Sequence, residues 1–135
     1  MATVYGVNKT KFDGGDILDP GTWNARVKVS FDEYEASSLA DGSTIVMMPV
    51  PKGAKILGGK LYFDALGAST TLAVGDGTTA DKYLSATDTS TAGSAEFDKI
   101  DNLFKALSAT ENITLTLAGG AATGTIKLMV MYALE

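Results

Sequence analysis

The residues of this chain whose types suggest a reaction or a metal site are clustered carboxylates. Gly75-Asp76-Gly77, with Asp81 and Asp88 nearby, groups acids in a turn, an arrangement that suits a hard cation such as calcium. The spacing lacks the alternating ligands and closing Glu of an EF-hand, and an Asp-Gly turn among solvated acids accounts for the same residues. Asp32, Glu33 and Glu35 suggest the two acids of a glycoside hydrolase. Adjacent residues on a strand point to opposite faces, so Asp32 and Glu33 cannot share a sugar site, and strand-end solubility explains them. Gly58-Gly59 and Gly119-Gly120 lack the Lys-Ser/Thr of a phosphate loop and read as bends or turns.

Cysteine and histidine are both absent, which removes disulfides, thiolate chemistry and the commonest general base and metal ligand. No catalytic, cofactor-binding or metal-binding residue is therefore assigned, and an enzyme is not expected. The net charge is −5 and Arg26 is the one arginine, a poor match to the phosphate backbone of a nucleic acid. The longest apolar runs, Ile45–Val50 and Leu128–Leu134, fall far short of the ~18–20 residues that span a bilayer, so no membrane partner is expected. The opening Met-Ala-Thr-Val-Tyr-Gly lacks the layout of a secretory signal, so the chain is expected to act where it is made or to leave by lysis.

The elements that position these residues read as strands. At 135 residues, 45% hydrophobic and 20% charged, the chain has the composition of one folded domain. Residues 1–23 show no sustained periodicity and read as an extended N-terminal arm that docks on its own domain or on a neighbour. From residue 24 the pattern alternates, with Val27, Val29 and Phe31 expected on the buried face and Arg26, Lys28, Ser30 and Asp32 on the other. Ser43–Val50 follows, with Pro49 and Pro51 expected to end its pairing, and then Lys55–Asp64, interrupted by a bend at Gly58-Gly59. Thr70–Val74 and Lys82–Ala86 read as a hairpin with a long polar tip. Ile113–Ala118 and Thr125–Leu134, joined by Gly119–Gly124, read as a closing hairpin. Between these two strands and the earlier ones, Ser94–Ala109 fits either a short helix or a pair of short strands. About seven to eight short strands with turn residues between them predict an all-β protein, residues 24–135 forming one antiparallel β-sandwich or jelly roll.

Some strands are apolar on both faces. Ile126, Leu128, Val130, Tyr132 and Leu134 oppose Met129, Met131 and Ala133, and Val46 and Met48 oppose Ile45 and Met47. A sandwich core needs one apolar face per strand, so the second must be covered by the arm, a loop or another subunit. Val46, Met48, Met129 and Met131 are accordingly candidate interface residues. So are Val4, Tyr5, Val7, Phe12 and Trp23, the apolar anchors scattered along the polar arm.

Further stretches carry a resemblance. The opening Thr3-Val4-Tyr5-Gly6-Val7-Asn8-Lys9-Thr10-Lys11, Arg26-Val27-Lys28-Val29 with Asp32-Glu33-Tyr34-Glu35-Ala36, and Pro51-Lys52-Gly53-Ala54-Lys55-Ile56-Leu57 resemble small virion structural proteins of tailed bacteriophages. Phe63-Asp64-Ala65-Leu66-Gly67-Ala68-Ser69 and Gly124-Thr125-Ile126-Lys127-Leu128 do likewise. The resemblance implies a head decoration or cement protein, made in the host cytoplasm and placed on the capsid surface, with the major capsid protein for a partner. A homo-oligomer, most simply a trimer, is expected as well, because closed cyclic assembly would cover the Met129/Met131 or Val46/Met48 faces. The alternative is a carbohydrate-binding or host-adhesion module, which sandwiches of this size also serve as. Far-ultraviolet circular dichroism should show a strand-dominated spectrum; helix above about a third of the chain would contradict the all-β reading.

Overall fold

The computed structural model describes residues 2–5, 7–16 and 26–134. Its strands are β1 (Arg26–Leu39), β2 (Thr44–Val50), β3 (Lys55–Phe63), β4 (Thr71–Gly75), β5 (Leu84–Asp88), β6 (Gly93–Glu96), β7 (Glu111–Ala118) and β8 (Ala122–Leu134). They build two four-stranded antiparallel sheets, ordered β1-β8-β3-β6 and β2-β7-β4-β5. First pairs with last throughout: β1 with β8, β2 with β7, β3 with β6 and β4 with β5. The chain is thus one long nested hairpin, rolled until β8 also meets β3 and β7 also meets β4. That connectivity is the jelly roll.

Strand alternation fills the space between the sheets. Ile56, Leu61, Ile126 and Val130 point inward from one sheet, and Val50, Leu72, Ile113 and Leu115 from the other, all at 2% exposure or less. The two faces of β2 separate as the sequence suggests, with Ile45 and Met47 buried and Val46 and Met48 exposed. The bend at Gly58-Gly59 is present as a register shift between Ile56 and Gly58. Gly59 is required there: a Cβ would lie 2.5 Å from the Phe97 ring and 2.7 Å from the Met129 carbonyl oxygen, so Phe97 fills the place of a side chain. The β4–β5 hairpin is also as expected.

In the sandwich three expectations change and one open reading is decided. Val27, Val29 and Phe31 do not face the core; they are 58%, 42% and 71% exposed, because pairing with β8 puts them beside outward residues. β7 and β8 form no hairpin but lie in different sheets, and the loop between them crosses the sandwich. Gly119 makes that crossing tight, with φ of 88° and a Cβ position 1.9 Å from the Ser69 carbonyl oxygen. β2 runs through Pro49, which stays in register with Asn112 after a shift, because β2 is an edge strand with one side free of a ladder. In Ser94–Ala109 the helical spacing yields only β6 and a three-residue 3₁₀ turn, Ile100–Asn102. Backbone bonds from Phe97 to Gly59, Phe104 to Ile56 and Leu107 to Ala54 hold this segment extended along β3.

Within the arm the structure contains a seven-residue helix, α1 (Val7–Asp13), in place of a wholly extended segment. A Lys9–Asp13 ion pair of 2.7 Å, one turn apart, supports it, and Gly15 at φ of 78° follows its end.

The acidic turn proposed as a cation loop is a clamp between strands. Asp76 Oδ1 accepts hydrogen bonds from the Thr78 and Thr79 amides (3.0 and 2.8 Å), and its Oδ2 pairs with Lys82 Nζ at 3.3 Å. Lys82 also pairs with Glu111 Oε2 on β7 at 2.6 Å, and the buried Tyr83 hydroxyl donates to Glu111 Oε1. Asp88 caps its own turn through Ser90, and Asp81 lies 3.8 Å from Lys99. The carboxylate of Asp76 is therefore engaged by its own turn and by Lys82. Burial alone would raise its pKa; the Thr79 and Thr78 amides and the Lys82 ammonium outweigh that and lower it. Burial of Lys82 acts in the opposite sense and is outweighed by Glu111 and Asp76, which raise its pKa.

Two predictions follow from these contacts. Gly59→Ala should lower the unfolding free energy by about 1–3 kcal/mol, since Phe97 must leave its place; a loss under about 0.5 kcal/mol by denaturant titration would contradict the packing. Asp76 has a lowered pKa, so its stabilisation is complete above its unfolded value near ~3.9 and is lost as pH falls through its folded value. Asp76→Asn keeps the turn acceptor but removes the titration, so its stability should fall less steeply than that of the native chain below about pH 4. Parallel acid limbs would show that Asp76 plays no part.

Candidate assembly surface

In the β1-β8-β3-β6 sheet, β8 is central, and its register fixes which side chains share the outer face. Three cross-strand rows are apolar or nearly so: Val27–Ala133–Lys55, Val29–Met131–Gly58 and Phe31–Met129–Lys60. A fourth row, Glu33–Lys127–Tyr62, closes the band with opposite charges and an exposed ring. In antiparallel pairs such neighbours are in side-chain contact range, so the rows form one surface. Met129 and Met131 are half-buried, Tyr62 is 43% exposed, and Lys60 Nζ stands 5.4 Å from the Tyr62 ring centre.

Gly58 contributes no side chain to this face, and nothing lies within 4 Å of where its Cβ would be. The result is a hollow beside Met129 and Met131, bordered by Leu57, Lys60 and Leu103. A second groove runs over Phe31, Tyr62, Lys127 and Met129. Flexible thioethers and flat rings around shallow hollows adapt to an apolar partner surface.

The structure therefore brings Met129 and Met131 together with Val27, Val29, Phe31 and Tyr62, which the sequence reading had not placed at an interface. Val46 and Met48, at 63% and 50% exposure, lie on the outer face of the other sheet, a separate patch on the opposite side of the sandwich. Val4, Tyr5 and Phe12 are exposed in the arm, Val7 opens α1, and Trp23 lies outside the described residues. Among the described residues, no group of three or more Asp or Glu side chains is placed to hold a metal ion. Glu35, one of the suggested catalytic acids, accepts a hydrogen bond from Thr125 Oγ1 at 2.5 Å, while Asp32 Oδ1 accepts one from the Glu33 amide at 2.8 Å. The Asp32 and Glu35 carboxylates thus serve their own strand and its neighbour.

No family model and no curated protein matches the chain. Among solved structures, a chain of the cyanophage Pam1 capsid asymmetric unit is similar with a TM-score of 0.72 and 28% identity, over 82% of this chain and 86% of that one. A chain in the capsid of Ralstonia phage GP4 is similar with a TM-score of 0.67 and 20% identity, over 82% of this chain and 85% of that one. One in the acidic stable capsid structure of Helicobacter pylori bacteriophage KHP30 gives 0.61 and 17%, over 80% and 87%. The latter two show the shared fold. The likeness to the Pam1 capsid chain agrees with the resemblance to phage virion structural proteins carried by the sequence.

Proposed function

We propose that this chain is a structural protein of a phage virion and acts there as a capsid decoration (cement) protein, without enzymatic activity. The observation that carries this reading is the apolar band on the outer face of the β1-β8-β3-β6 sheet. Each sheet of a sandwich needs one apolar face, and a second one, spread over three adjacent strands, is suited to covering by another protein. The likeness to a chain of the Pam1 capsid supports a location in the virion. The protein lies across contacts between major capsid subunits at the surface of the head. Because it binds the assembled shell and not free subunits, it shifts the equilibrium toward the shell. Copies also associate with one another.

The arm serves as a tether. Residues 2–5 and 9–16 are exposed, including Val4 at 86% and Tyr5 at 64%, and apolar anchors in a polar segment suit docking along a neighbouring surface. A second reading, a carbohydrate-binding or host-adhesion module, is favoured by one feature: exposed Tyr62 shares a groove with Asp64 and Lys127, a ring beside polar groups of the kind that holds a sugar.

Thermal disruption of virions stripped of the protein tests the proposal. Added full-length protein should raise the disruption temperature. A form lacking residues 1–22 should remain folded but protect less, and Phe31→Asp, which puts a third acid beside Asp32 and Glu33, should also protect less. No protection by the full-length protein would remove the cement function, and specific binding to host glycans instead would favour the second reading. Equal protection by the truncated form would place the arm within its own subunit.

A further inference from the structure

We propose that β1 is a self-complementary edge through which two copies of this chain pair antiparallel about a two-fold axis at Ser30, joining their sheets into one. This inference stands on the strand itself and not on the decoration reading.

Among the described residues, β1 is the outer strand of its sheet and pairs with β8 alone. From Arg26 to Ala36 it keeps unbroken register with β8, with no bulge and no proline. Long regular edges of this kind template pairing with another strand, and proteins ordinarily shorten, bend or interrupt them. The Glu33 amide donates to the side chain of its own neighbour Asp32 and not to β8, which places the backbone donors of the odd-numbered residues at the open edge.

The charges along β1 are divided. Arg26 and Lys28 stand at its start, and Asp32, Glu33 and Glu35 further on. An antiparallel copy reverses that order, so each basic end meets an acidic one. Keeping both outer faces on the same side requires opposed residues of equal parity, and the register centred on Ser30 satisfies every position. Lys28 faces Asp32 of the second copy, Arg26 faces its Tyr34, and Val29 faces its Phe31, each pair occurring twice by symmetry. The odd-numbered pairs, Val29 with Phe31 and Val27 with Glu33, then exchange the open-edge backbone bonds. Moving the centre to Phe31 sets Lys28 against Tyr34 and leaves Asp32 opposite Ser30, losing the ion pairs. An arbitrary strand would leave Lys28 and Asp32 unmatched, whereas a second copy matches both. The pairing also joins the two outer apolar bands, since Phe31 and Val29 meet across the axis.

Charge exchange tests this without disturbing the core, because Lys28 is exposed and Asp32 partly so. Sedimentation equilibrium should give the native protein twice its chain mass of 14.0 kDa. Lys28→Asp and Asp32→Lys should each weaken association by at least about tenfold, since both ion pairs become like-charge contacts. An equimolar mixture of the two variants, and the double variant Lys28→Asp/Asp32→Lys, should recover the dimer, because each restores opposite charges across the axis. That recovery separates lost pairing from lost folding. A native monomer, a native trimer, single variants that associate like the native protein, or a double variant and mixture that stay monomeric would each overturn the proposal.

Discussion

The ladder that holds β8 between β1 and β3 is the constraint on which the rest of the molecule depends. Its register sends Ile126, Leu128 and Val130 into the core and leaves Met129 and Met131 on the other side of the strand. Once β1 pairs with β8, Val27, Val29 and Phe31 join the methionines on the outside, because side chains directly opposite one another share a face. A one-residue slip would bury that row and expose Ser30 and Asp32, with Leu128 and Val130 left facing the wrong partners. The apolar exterior is thus a consequence of the same pairing that closes the core.

The two ends of the sandwich are built differently. At one, Asp76, Lys82, Tyr83 and Glu111 tie the β4–β5 loop to β7 through charge-assisted hydrogen bonds, while Tyr83 stacks on Phe97 with ring centres 5.6 Å apart. That arrangement fixes a loop in one conformation and engages Asp76, the acid at the centre of the turn that suggested a cation site. On the outer face of the other sheet, the shallow hollows beside Gly58 and Phe31 are lined by thioethers and rings with Glu33, Lys60 and Lys127 at their borders. A surface of that composition gains free energy by excluding water against a matching surface.

Much of this architecture was legible because strand periodicity is short and local. The number of strands, the β4–β5 hairpin, the bend at Gly58-Gly59 and the division of β2 into Ile45/Met47 and Val46/Met48 faces all follow from alternation and turn residues. Alternation gives two faces without saying which lies inside, and on that point the reading of β1 failed. Its apolar row looks like a core row until β8 supplies the partner, and only the long-range register decides. The small residues Gly119-Gly120-Ala121 suit a hairpin turn and a crossing between sheets equally well, since both demand tight backbone, so the β7–β8 connection was misread for the same reason. Phe97, Leu103 and Leu107 fall at helical spacing yet are buried from an extended segment, where bonding to the β3 backbone overrides periodicity. Of the candidate interface residues, Met129 and Met131 were visible as a second apolar face, while Phe31 was hidden by the assignment of its row to the core. Trp23, read as an arm anchor, lies outside the described residues.

The central claim is that the outer face of the β1-β8-β3-β6 sheet is the face this protein turns toward the capsid. Methionine makes that claim directly measurable, because thioethers oxidise readily where solvent reaches them. Hydroxyl-radical footprinting of the protein free and on intact particles, read by peptide mass spectrometry, compares Met129 and Met131 with Met48 on the opposite sheet. The account predicts that particle binding protects Met129, Met131 and Phe31 while Met48 is oxidised as in the free protein. Protection of Met48 with Met129 and Met131 unchanged would contradict it and assign the contact to the other face of the sandwich.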